Sequence, residues 1–367
     1  MPTTSTPSVP RGAPVWIGML VLYVVWGSTY LGISIAVETI PPFLMAAVRF
    51  FLAGLLLLTW SIAREGRAFV VPTRREWRDS AIVGALLIGG GMGMVAFGEQ
   101  TIPSGITALL IAMMPVWVAI LGRIFLGERL PRLAIVGIVV GFAGVAILLG
   151  PSAFGGTGAL DPLGLAAILF SPIAWASGSL FASHRAVLPK RPLVATGVQM
   201  ALGGVLLAVM GGVTGEFAAL DVGAISRESV LALLYLLVLG SLVAFTVYGW
   251  MLRVAPLPLV ATYAYVNPVI AVILGAIVLD ETIDSRTVVA GAVIVFSVAL
   301  TVTARGRMSA PRGAREGNET QPGATATPGA TATPGVIATP GPIATPGMIA
   351  TPDPIATVAT TTPATTR

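Results

Sequence analysis

Two stretches of this sequence, residues 103–130 and 256–283, repeat one pattern. They align without a gap at a constant offset of 153 residues (256 − 103 = 153). Apolar sequences produce chance matches of Leu, Ile and Val, but they do not readily align two prolines, a glycine and a terminal glutamate in one register. The chain is therefore an internal duplication. The matched positions are Pro103/Pro256, Ala108/Ala261, Pro115/Pro268, Val116/Val269, Ile120/Ile273, Leu121/Leu274, Gly122/Gly275, Ile124/Ile277, Leu126/Leu279 and Glu128/Glu281.

The duplicated unit has the composition of a membrane protein. Of the 367 residues, 55% are apolar and 10% are charged, and the mean hydropathy is +0.91. A soluble domain carries roughly 25% charged residues, so a lipid bilayer is the expected surrounding of most of this chain. Internal repeats within a membrane are typical of transporters.

The inventory of reactive residues argues against several kinds of site. The chain has no Cys, which excludes disulfides and thiolate metal sites, and its single His184 leaves little for zinc or triad chemistry. The formal charge of +5 comes from basic residues beside apolar spans, which is a membrane-orientation signal rather than a nucleic-acid face. We therefore expect no catalytic residue, metal, cofactor or nucleic-acid partner.

The apolar segments predict an all-α membrane protein with ten transmembrane helices, each near the ~20 residues that a bilayer core requires. Residues 1–14 are too polar and proline-rich to pack, and the first span has no small-residue cleavage site, so we expect a retained helix. Five spans fall within residues 15–150 and five within residues 162–304. The predicted spans are 15–35, 42–62, 80–98, 105–125, 133–150, 162–182, 193–212, 230–251, 259–279 and 287–304.

Lys and Arg are distributed unequally between the two sides of these spans. With the N-terminus inside, eighteen lie in cytoplasmic segments, Arg227 and Arg286 lie outside, and Arg49 alone lies within a span. This bias predicts a multi-pass protein of the cell (inner) membrane with both termini in the cytoplasm. Because each half has an odd number of spans, the second half enters from the opposite side. The two five-helix repeats are thus predicted to be inverted.

Residues 305–367 form a tail rich in Pro, Thr, Ala and Gly, in which prolines recur every six residues from Pro328 to Pro352. Such a tract cannot bury a core, so we expect it to be disordered, with polyproline-like pieces.

Pro115 and Pro268 occupy equivalent places in the predicted fourth and ninth spans. A proline inside a helix removes a backbone hydrogen bond, and a matched pair of interrupted helices indicates a central substrate site. Tyr263 and Asn267, four residues apart, share a helix face, and Met113 lies beside Pro115. All five are candidate substrate-binding residues. Kinks that only shape packing, a structural hydrogen bond of Asn267 and plain packing of Met113 remain the alternatives.

A second trace of the repeat aligns "WGSTYLG" with "WASGSLF", matching Trp26 with Trp175 and Ser28 with Ser177. Both tryptophans lie nearer mid-span than the interfacial belt where membrane Trp usually occurs. Trp26, Ser28 and Trp175 are therefore candidates for an aromatic, hydroxyl-bearing wall against an amphipathic solute. Close helix packing explains the small residues equally well.

Arg49 lies roughly 10 Å below the outer end of the second span. A charge there costs about 2.5–3.5 kcal/mol on insertion scales and normally has a partner or lines water. We expect a structural pair with Glu99, ahead of a role in binding an anionic group of the substrate. Glu128 and Glu281, at equivalent boundary positions, are expected to cap helix ends or anchor loops.

These motifs resemble the EamA-type branch of the drug/metabolite transporter superfamily, in particular its YedA-like members. The resemblance covers about residues 15–304 and departs at Asp280, where the pattern has glycine, and in the tail. It implies a ten-helix inner-membrane carrier that exports or exchanges small organic solutes such as amino acids, metabolites or drugs. The residues that carry it are "WGSTY", "PPFLMAAVRFFLAG", "IPSGITALLIAMMPVW", "LGERL" and "LVATYAYVNPVIAVILG" followed by "DET".

Together, the repeat and the resemblance predict a carrier that works by alternating access. Its site is expected between spans one to four and six to nine, with spans five and ten at the periphery. An intramembrane enzyme and a non-transporting scaffold are the alternatives, and a homodimer is left open. No acid lies at a predicted midplane position, so the sequence offers no clear carrier of protons.

Overall fold

The computed structural model describes residues 12–150, 160–255, 257–260 and 262–309, which form helices and contain no β-strand. The predictions for residues 1–11 and 310–367, and the repeat positions Pro256 and Ala261, lie outside the described residues. We number the long helices in chain order. They are α1 (Ala13–Val37), α2 (Pro42–Glu65), α3 (Arg74–Gly98), α4 (Ser104–Leu126), α5 (Arg132–Leu149), α6 (Pro162–His184), α7 (Pro192–Val213), α8 (residues 227–254), α9 (Tyr263–Val278) and α10 (Ser285–Ser309).

Within the described part of the chain, nine of these helices are long and apolar enough to cross a membrane. The remaining apolar helix, α9, has 16 residues and follows a short helical turn at Leu257–Val260. The last helix also differs from the prediction, because α10 continues through Ser309 into the first residues of the predicted tail.

The start of α3 corrects a second expectation. The sequence predicts that the third span begins at position 80, yet the helix begins at Arg74. The Thr73 hydroxyl accepts a hydrogen bond from the backbone N–H of Glu76 (3.3 Å), and the Glu76 carboxylate accepts one from the N–H of Thr73 (2.7 Å). This capping box stabilises a polar first turn that an apolar window does not detect.

Glycines bring helices of the two halves into close contact. A Cβ at Gly54 of α2 would overlap the backbone of α7 at Ala201, and a Cβ at Gly204 of α7 would overlap the backbone of α2 at Phe51. In α10, the Ser297 hydroxyl donates to the carbonyl of Gly137 in α5 at 2.7 Å. Small residues allow such backbone approach in membrane helix pairs, so α2–α7 and α5–α10 each join the first half to the second.

The repeat is visible in local geometry as well as in sequence. The backbone N–H of Glu128 donates to the carbonyl of Gly122, and that of Glu281 donates to the carbonyl of Gly275, each at 3.2 Å. These two pairs are related by the 153-residue offset. The same turn therefore ends α4 in the first half and α9 in the second.

Among the residues that the structure describes, three helices contain π-helical segments: α1 at Leu22–Trp26, α3 at Ala85–Gly93 and α8 at Leu236–Val243. Such wide turns are rare and occur frequently at functional sites. All three segments contribute residues to the central cavity described next.

Candidate functional site

Both halves of the chain enclose a central cavity of about 330 Å³. Its walls come from α1, α2, α3, α4, α6, α8 and α9. Ligand cavities for small organic molecules have volumes of roughly 300–1,000 Å³ and mostly apolar walls with a few polar groups. Seven of the nine sequence-predicted site residues line this cavity: Trp26, Arg49, Pro115, Trp175, Tyr263, Asn267 and Pro268.

Helix α4 is interrupted beside the cavity. Its first segment ends at Ile111, and its second begins at Met114 with Pro115 in the first turn. Proline has no N–H to donate to the carbonyl of Ile111, four residues earlier. Ile111 and Pro115 both line the cavity, so the break predicted for this helix lies at the site.

The equivalent proline of α9 is accommodated differently. Pro268 lies inside the continuous helix Tyr263–Val278, and the irregular turn lies further toward the N-terminus, at Thr262. The two prolines match in sequence, but the interruptions that accompany them do not coincide. Pro268 deprives the carbonyl of Ala264 of its helical donor, and Ala264 also lines the cavity.

Asn267 lines this cavity and has an unused hydrogen-bond acceptor. The residue is 8% exposed, and its side-chain oxygen has no hydrogen-bond partner. A buried polar atom without a partner is costly. A small rotation of the amide toward the cavity would let a ligand donor satisfy it.

Aromatic rings surround Trp26. Its ring centroid lies 4.9 Å from that of Tyr263, 5.2 Å from Tyr248 and 5.5 Å from Phe245. The indole N–H donates to the carbonyl of Gly240 at 3.4 Å, in the π-helical segment of α8. These contacts fix Trp26 as part of an aromatic wall built by α1, α8 and α9.

Trp175 belongs to a separate wall, where α6 meets the glycine run of α3. A Cβ at Gly91 would collide with the Trp175 ring, so only glycine leaves room for the indole there. The Ser171 hydroxyl donates to the carbonyl of Gly91 at 2.9 Å. Pro172, which follows Ser171 inside α6, also lines the cavity.

Arg49 is the one charged residue among the described residues that line the cavity. It is 2% exposed, its Nε donates to the Ser241 hydroxyl at 3.0 Å, and its guanidinium carbon lies 4.6 Å from the centroid of the Phe50 ring. Ser241 in turn donates to the carbonyl of Leu236 (3.1 Å). The guanidinium is thus held in place through its Nε.

The predicted structural pair of Arg49 with Glu99 does not form as an ion pair. The two residues are both described and both buried, yet no contact within ion-pair distance joins them, and neither carboxylate oxygen of Glu99 has a hydrogen-bond partner. Ser241 of α8 takes the position that we expected Glu99 to fill. A sequence offers no simple way to foresee a serine from the opposite repeat.

Two candidate residues do not line the cavity. The Ser28 hydroxyl donates to the carbonyl of Val24 and lies 2.5 Å from the Tyr235 hydroxyl, so its polar group is used between α1 and α8. Met113 is 2% exposed and packs against Gly141 of α5. The following residue, Met114, lines the cavity instead.

Helix α7 was also expected near the site, but none of its described residues lines the cavity. Its glycine-lined face is occupied by α2, as the overlap at Gly54 and Gly204 shows. Helices α5 and α10, expected at the periphery, contribute no described residue to the lining either.

The capping expectation for Glu281 is met in full. Its carboxylate accepts hydrogen bonds from the backbone N–H groups of Ser104 (2.7 Å) and Gly105 (3.0 Å) and from the Ser104 hydroxyl (2.7 Å). It thereby caps the N-terminus of α4. Glu128, its repeat equivalent, lies 3.9 Å from Nε2 of His184 at the other end of the fold.

Sequence reasoning missed several lining residues. Tyr248 and Phe245 of α8 were not selected because they have no aromatic counterpart in the first repeat to signal them. Tyr30, Ser171 and Pro172 were also missed. Pro172 lies inside a predicted span, as Pro115 and Pro268 do, but it has no matching proline in the first repeat.

The described residues contain no group of three or more His, Asp or Glu side chains placed to hold a metal ion.

Comparison with known proteins identifies this arrangement. The model of the EamA-like transporter family matches residues 14–150 and again residues 162–303. The chain belongs to the EamA-like transporter family. The two matches coincide with the two halves seen in the sequence and the structure, and the protein is a membrane transporter of this family.

Relatives cover the same region. The chain is 38% identical to the uncharacterized inner membrane transporter YedA of Escherichia coli (strain K12), over 78% of this chain and 90% of YedA. It is 26% identical to the uncharacterized transporter YvbV of Bacillus subtilis (strain 168), over 77% of this chain and 89% of YvbV. A solved crystal structure aligns with a TM-score of 0.54 at 20% identity, covering 81% of this chain and 99% of the other, which shows a shared fold.

Proposed function

We propose that this protein is a carrier that moves small organic solutes across the cell membrane by alternating access through the central cavity. The observation that carries the proposal is the position of the cavity. Residues of both halves line it, and it combines an aromatic wall around Trp26, one charged group at Arg49 and an unsatisfied acceptor at Asn267. Carriers built from repeats bind substrate where the repeats meet.

The proposed topology has ten membrane-crossing helices in two inverted repeats of five. Helix α9 is the shortest, and its 16 residues span roughly 24 Å at about 1.5 Å per residue. The preceding turn at Leu257–Val260 extends this length toward the ~30 Å of the hydrocarbon core. The excess of Lys and Arg on one side supports cytoplasmic positions for both termini.

Packing between helices is consistent with a twofold relation of the halves. Helices α2 and α7 are repeat equivalents and pack on each other, as do α5 with α10 and α4 with α9. Helix α3 packs on α6, while their equivalents α8 and α1 pack on each other. A pseudo-twofold axis exchanges these last two contacts, and it allows one bundle to rock against the other.

The cavity favours solutes that combine a hydrogen-bond acceptor or anionic group with an apolar body. A guanidinium binds carboxylates and carbonyl oxygens strongly when it is desolvated, and the rings around Trp26 offer a flat apolar surface. Amino acids, carboxylated metabolites and drugs all include molecules of this form. We infer transport rather than catalysis or scaffolding because the relatives are named as transporters, and because a scaffold has no evident use for a polar cavity lined by both halves.

The test is transport by purified full-length protein in liposomes. A mixture of amino acids, monocarboxylates, and neutral and cationic aromatic compounds is offered, and the solutes retained inside are measured by mass spectrometry with the protein in either orientation. Accumulation above empty liposomes supports a carrier and gives its direction. Failure of every solute class to move, with folded protein in the membrane, would contradict the proposal.

The cavity is tested with a matched pair of variants. Trp26→Ala removes the centre of the aromatic wall, whereas Trp60→Ala removes an indole on α2 that is 58% exposed and lies outside the cavity. Loss of transport in the first variant alone would support the cavity as the route. Equal effects would point to a general role of tryptophan in folding or insertion.

A further inference from the structure

Glu99 is the acid that neither the fold nor the proposed cavity accounts for. It follows Gly98, the last residue of α3, and is 6% exposed. Both of its carboxylate oxygens are buried without a hydrogen-bond partner. An ionised carboxylate in such a position loses its hydration without gaining a hydrogen bond in return, so burial favours the neutral, protonated form.

Another buried acid shows that this condition is not general in the protein. Glu216 is 9% exposed, and its two oxygens accept hydrogen bonds from the backbone N–H groups of Phe43 (3.2 Å) and Leu44 (2.9 Å). These bonds satisfy both oxygens of Glu216 at the N-terminus of α2. Glu99 has no comparable partner.

Glu99 lies next to the cavity. Val95, one helical turn earlier on the same face of α3, lines the cavity. Tyr30 of α1 and Arg49 of α2, which line it too, are close enough to interact with Glu99 electrostatically. Rearrangement of the cavity walls would therefore change the surroundings of this carboxyl.

The charged groups near Glu99 already make hydrogen bonds to other parts of the protein. Glu281 caps α4 through three hydrogen bonds. Asp161, at the start of α6, accepts from the backbone N–H of Gly164 (2.6 Å) and lies 3.4 Å from Thr101. Arg49 is the only cation among these neighbours, and its Nε is bonded to Ser241.

These surroundings determine the direction in which the pKa of Glu99 is shifted. Burial raises the pKa of the Glu99 carboxyl well above its usual range, and the charge of Glu281 raises it further, whereas the charge of Arg49 lowers it. The neutral form is therefore stabilised in the conformation described. Exposure of Glu99 to water would return its pKa toward the ordinary value and release the proton.

We propose that Glu99 is the proton-binding site of this carrier, protonated while the end of α3 is sealed and deprotonated when the cavity opens to water at that end. The inference rests on the proposed alternating-access function. It supplies the proton carrier that the sequence does not reveal, because the acid lies at a predicted span end and not at the midplane. One proton binds to and leaves one carboxylate oxygen, and no other co-reactant is needed.

The first experiment asks whether the carboxyl is protonated. Infrared difference spectra of the full-length protein in lipid nanodiscs are recorded across neutral pH for wild type, Glu99→Gln and the control Glu216→Gln. We expect a band of a protonated, buried carboxylic acid that is present in wild type and in the control and absent in Glu99→Gln. The same band in all three proteins would overturn the proposal, as would its absence from wild type.

The second experiment asks whether protonation is linked to conformation. The chain has no native Cys, so spin labels can be placed only at Glu38→Cys and Thr282→Cys, two exposed positions in the α1–α2 and α9–α10 connections. A raised pKa in the sealed form means that this form loses stability as pH rises through that pKa. Alkaline pH should therefore shift wild type and Glu216→Gln toward longer label distances.

In Glu99→Gln the side chain is always neutral, so we expect the short-distance population at every pH. A pH response of Glu99→Gln equal to that of wild type would contradict the proposal, and so would a wild type without any response. Neither experiment requires a substrate. Their failure would leave a carrier that is not proton-coupled through Glu99, whereas failure of the liposome screen would remove the carrier function itself.

Discussion

Glu281 Oε1 lies 2.7 Å from both the backbone nitrogen and the hydroxyl oxygen of Ser104, although the two residues are 177 positions apart in the chain. The contact joins the turn after α9 to the first residue of α4. It therefore couples the two helices that carry the repeated prolines.

Loss of this cap should destabilise the protein. Glu281→Ala leaves the first N–H groups of α4 without their acceptor, and we expect a cost of about 1–3 kcal/mol. The measurement is the thermal midpoint of unfolding in detergent. Thr282→Ala, an exposed neighbour, serves as the control and should leave the midpoint nearly unchanged, whereas equal midpoints for both variants would show that the cap is dispensable.

Replacement of Asp280, the residue before Glu281, should have the opposite effect and raise the stability of the fold. Asp280 has a positive φ of 51°, and its repeat equivalent Gly127 has a φ of 68°. Glycine adopts this left-handed conformation without the strain that a Cβ introduces. We expect Asp280→Gly to stabilise the fold by about 0.5–1 kcal/mol and Gly127→Ala to destabilise it by a similar amount, both read from thermal midpoints. A drop in stability for Asp280→Gly would mean that the aspartate side chain contributes more than the backbone strain costs.

A charge swap should not exchange the roles of Arg49 and Glu99. Because Arg49 is bonded to Ser241 and makes no ion pair with Glu99, the double variant Arg49→Glu/Glu99→Arg should be no more abundant in membranes than the poorer single variant. Immunoblots of membrane fractions provide the measurement. Recovery of abundance in the double variant would restore the ion-pair interpretation that the structure contradicts.

The close contact of α2 with α7 predicts a strong effect of one added methyl group. A Cβ at Gly54 would overlap the backbone of α7, so Gly54→Ala should cost about 1–3 kcal/mol through forced separation of the helices. Gly212→Ala is the matched control, because its nearest neighbour would lie 3.6 Å away. Thermal midpoints of the two purified variants should differ clearly, and similar values would show that α7 shifts without cost.

The proposed orientation is testable because the chain lacks Cys. Val70→Cys, in the exposed connection between α2 and α3, should react with a membrane-impermeant thiol reagent only after spheroplasts are opened. Gly223→Cys, between α7 and α8, should react in intact spheroplasts. The reversed pattern would place both termini outside.

Much of the fold follows from hydropathy and spacing, since each helix needs a long apolar segment and each turn a break in it. The predicted start of the third span was wrong because Thr73 and Glu76 cap a helical turn whose arginines lower its hydropathy. The predicted end of the tenth span was wrong for a related reason. A helix can continue beyond its apolar part as long as its backbone hydrogen bonds form.

The candidate site was predictable where the repeat marked it. Trp26 with Trp175 and Pro115 with Pro268 were found because internal matches distinguish them from other apolar residues. Partners across the repeats were not found in this way. The contact between Ser241 and Arg49 depends on the relative placement of α2 and α8. The orientation of Met113 depends on where α4 is interrupted. Local sequence determines neither of these.

The glycine contacts that join α2 to α7 and α5 to α10 have a consequence for biosynthesis. When the first five helices have been inserted, the faces at Gly54 and Gly137 still lack the helices that cover them, because α7 and α10 have not yet been translated. The first half therefore cannot complete its packing during its own synthesis. Ribosome stalling or truncation near residue 150 would leave a membrane-embedded fragment with unmatched helix faces, which is the kind of substrate that membrane chaperones and quality-control proteases recognise.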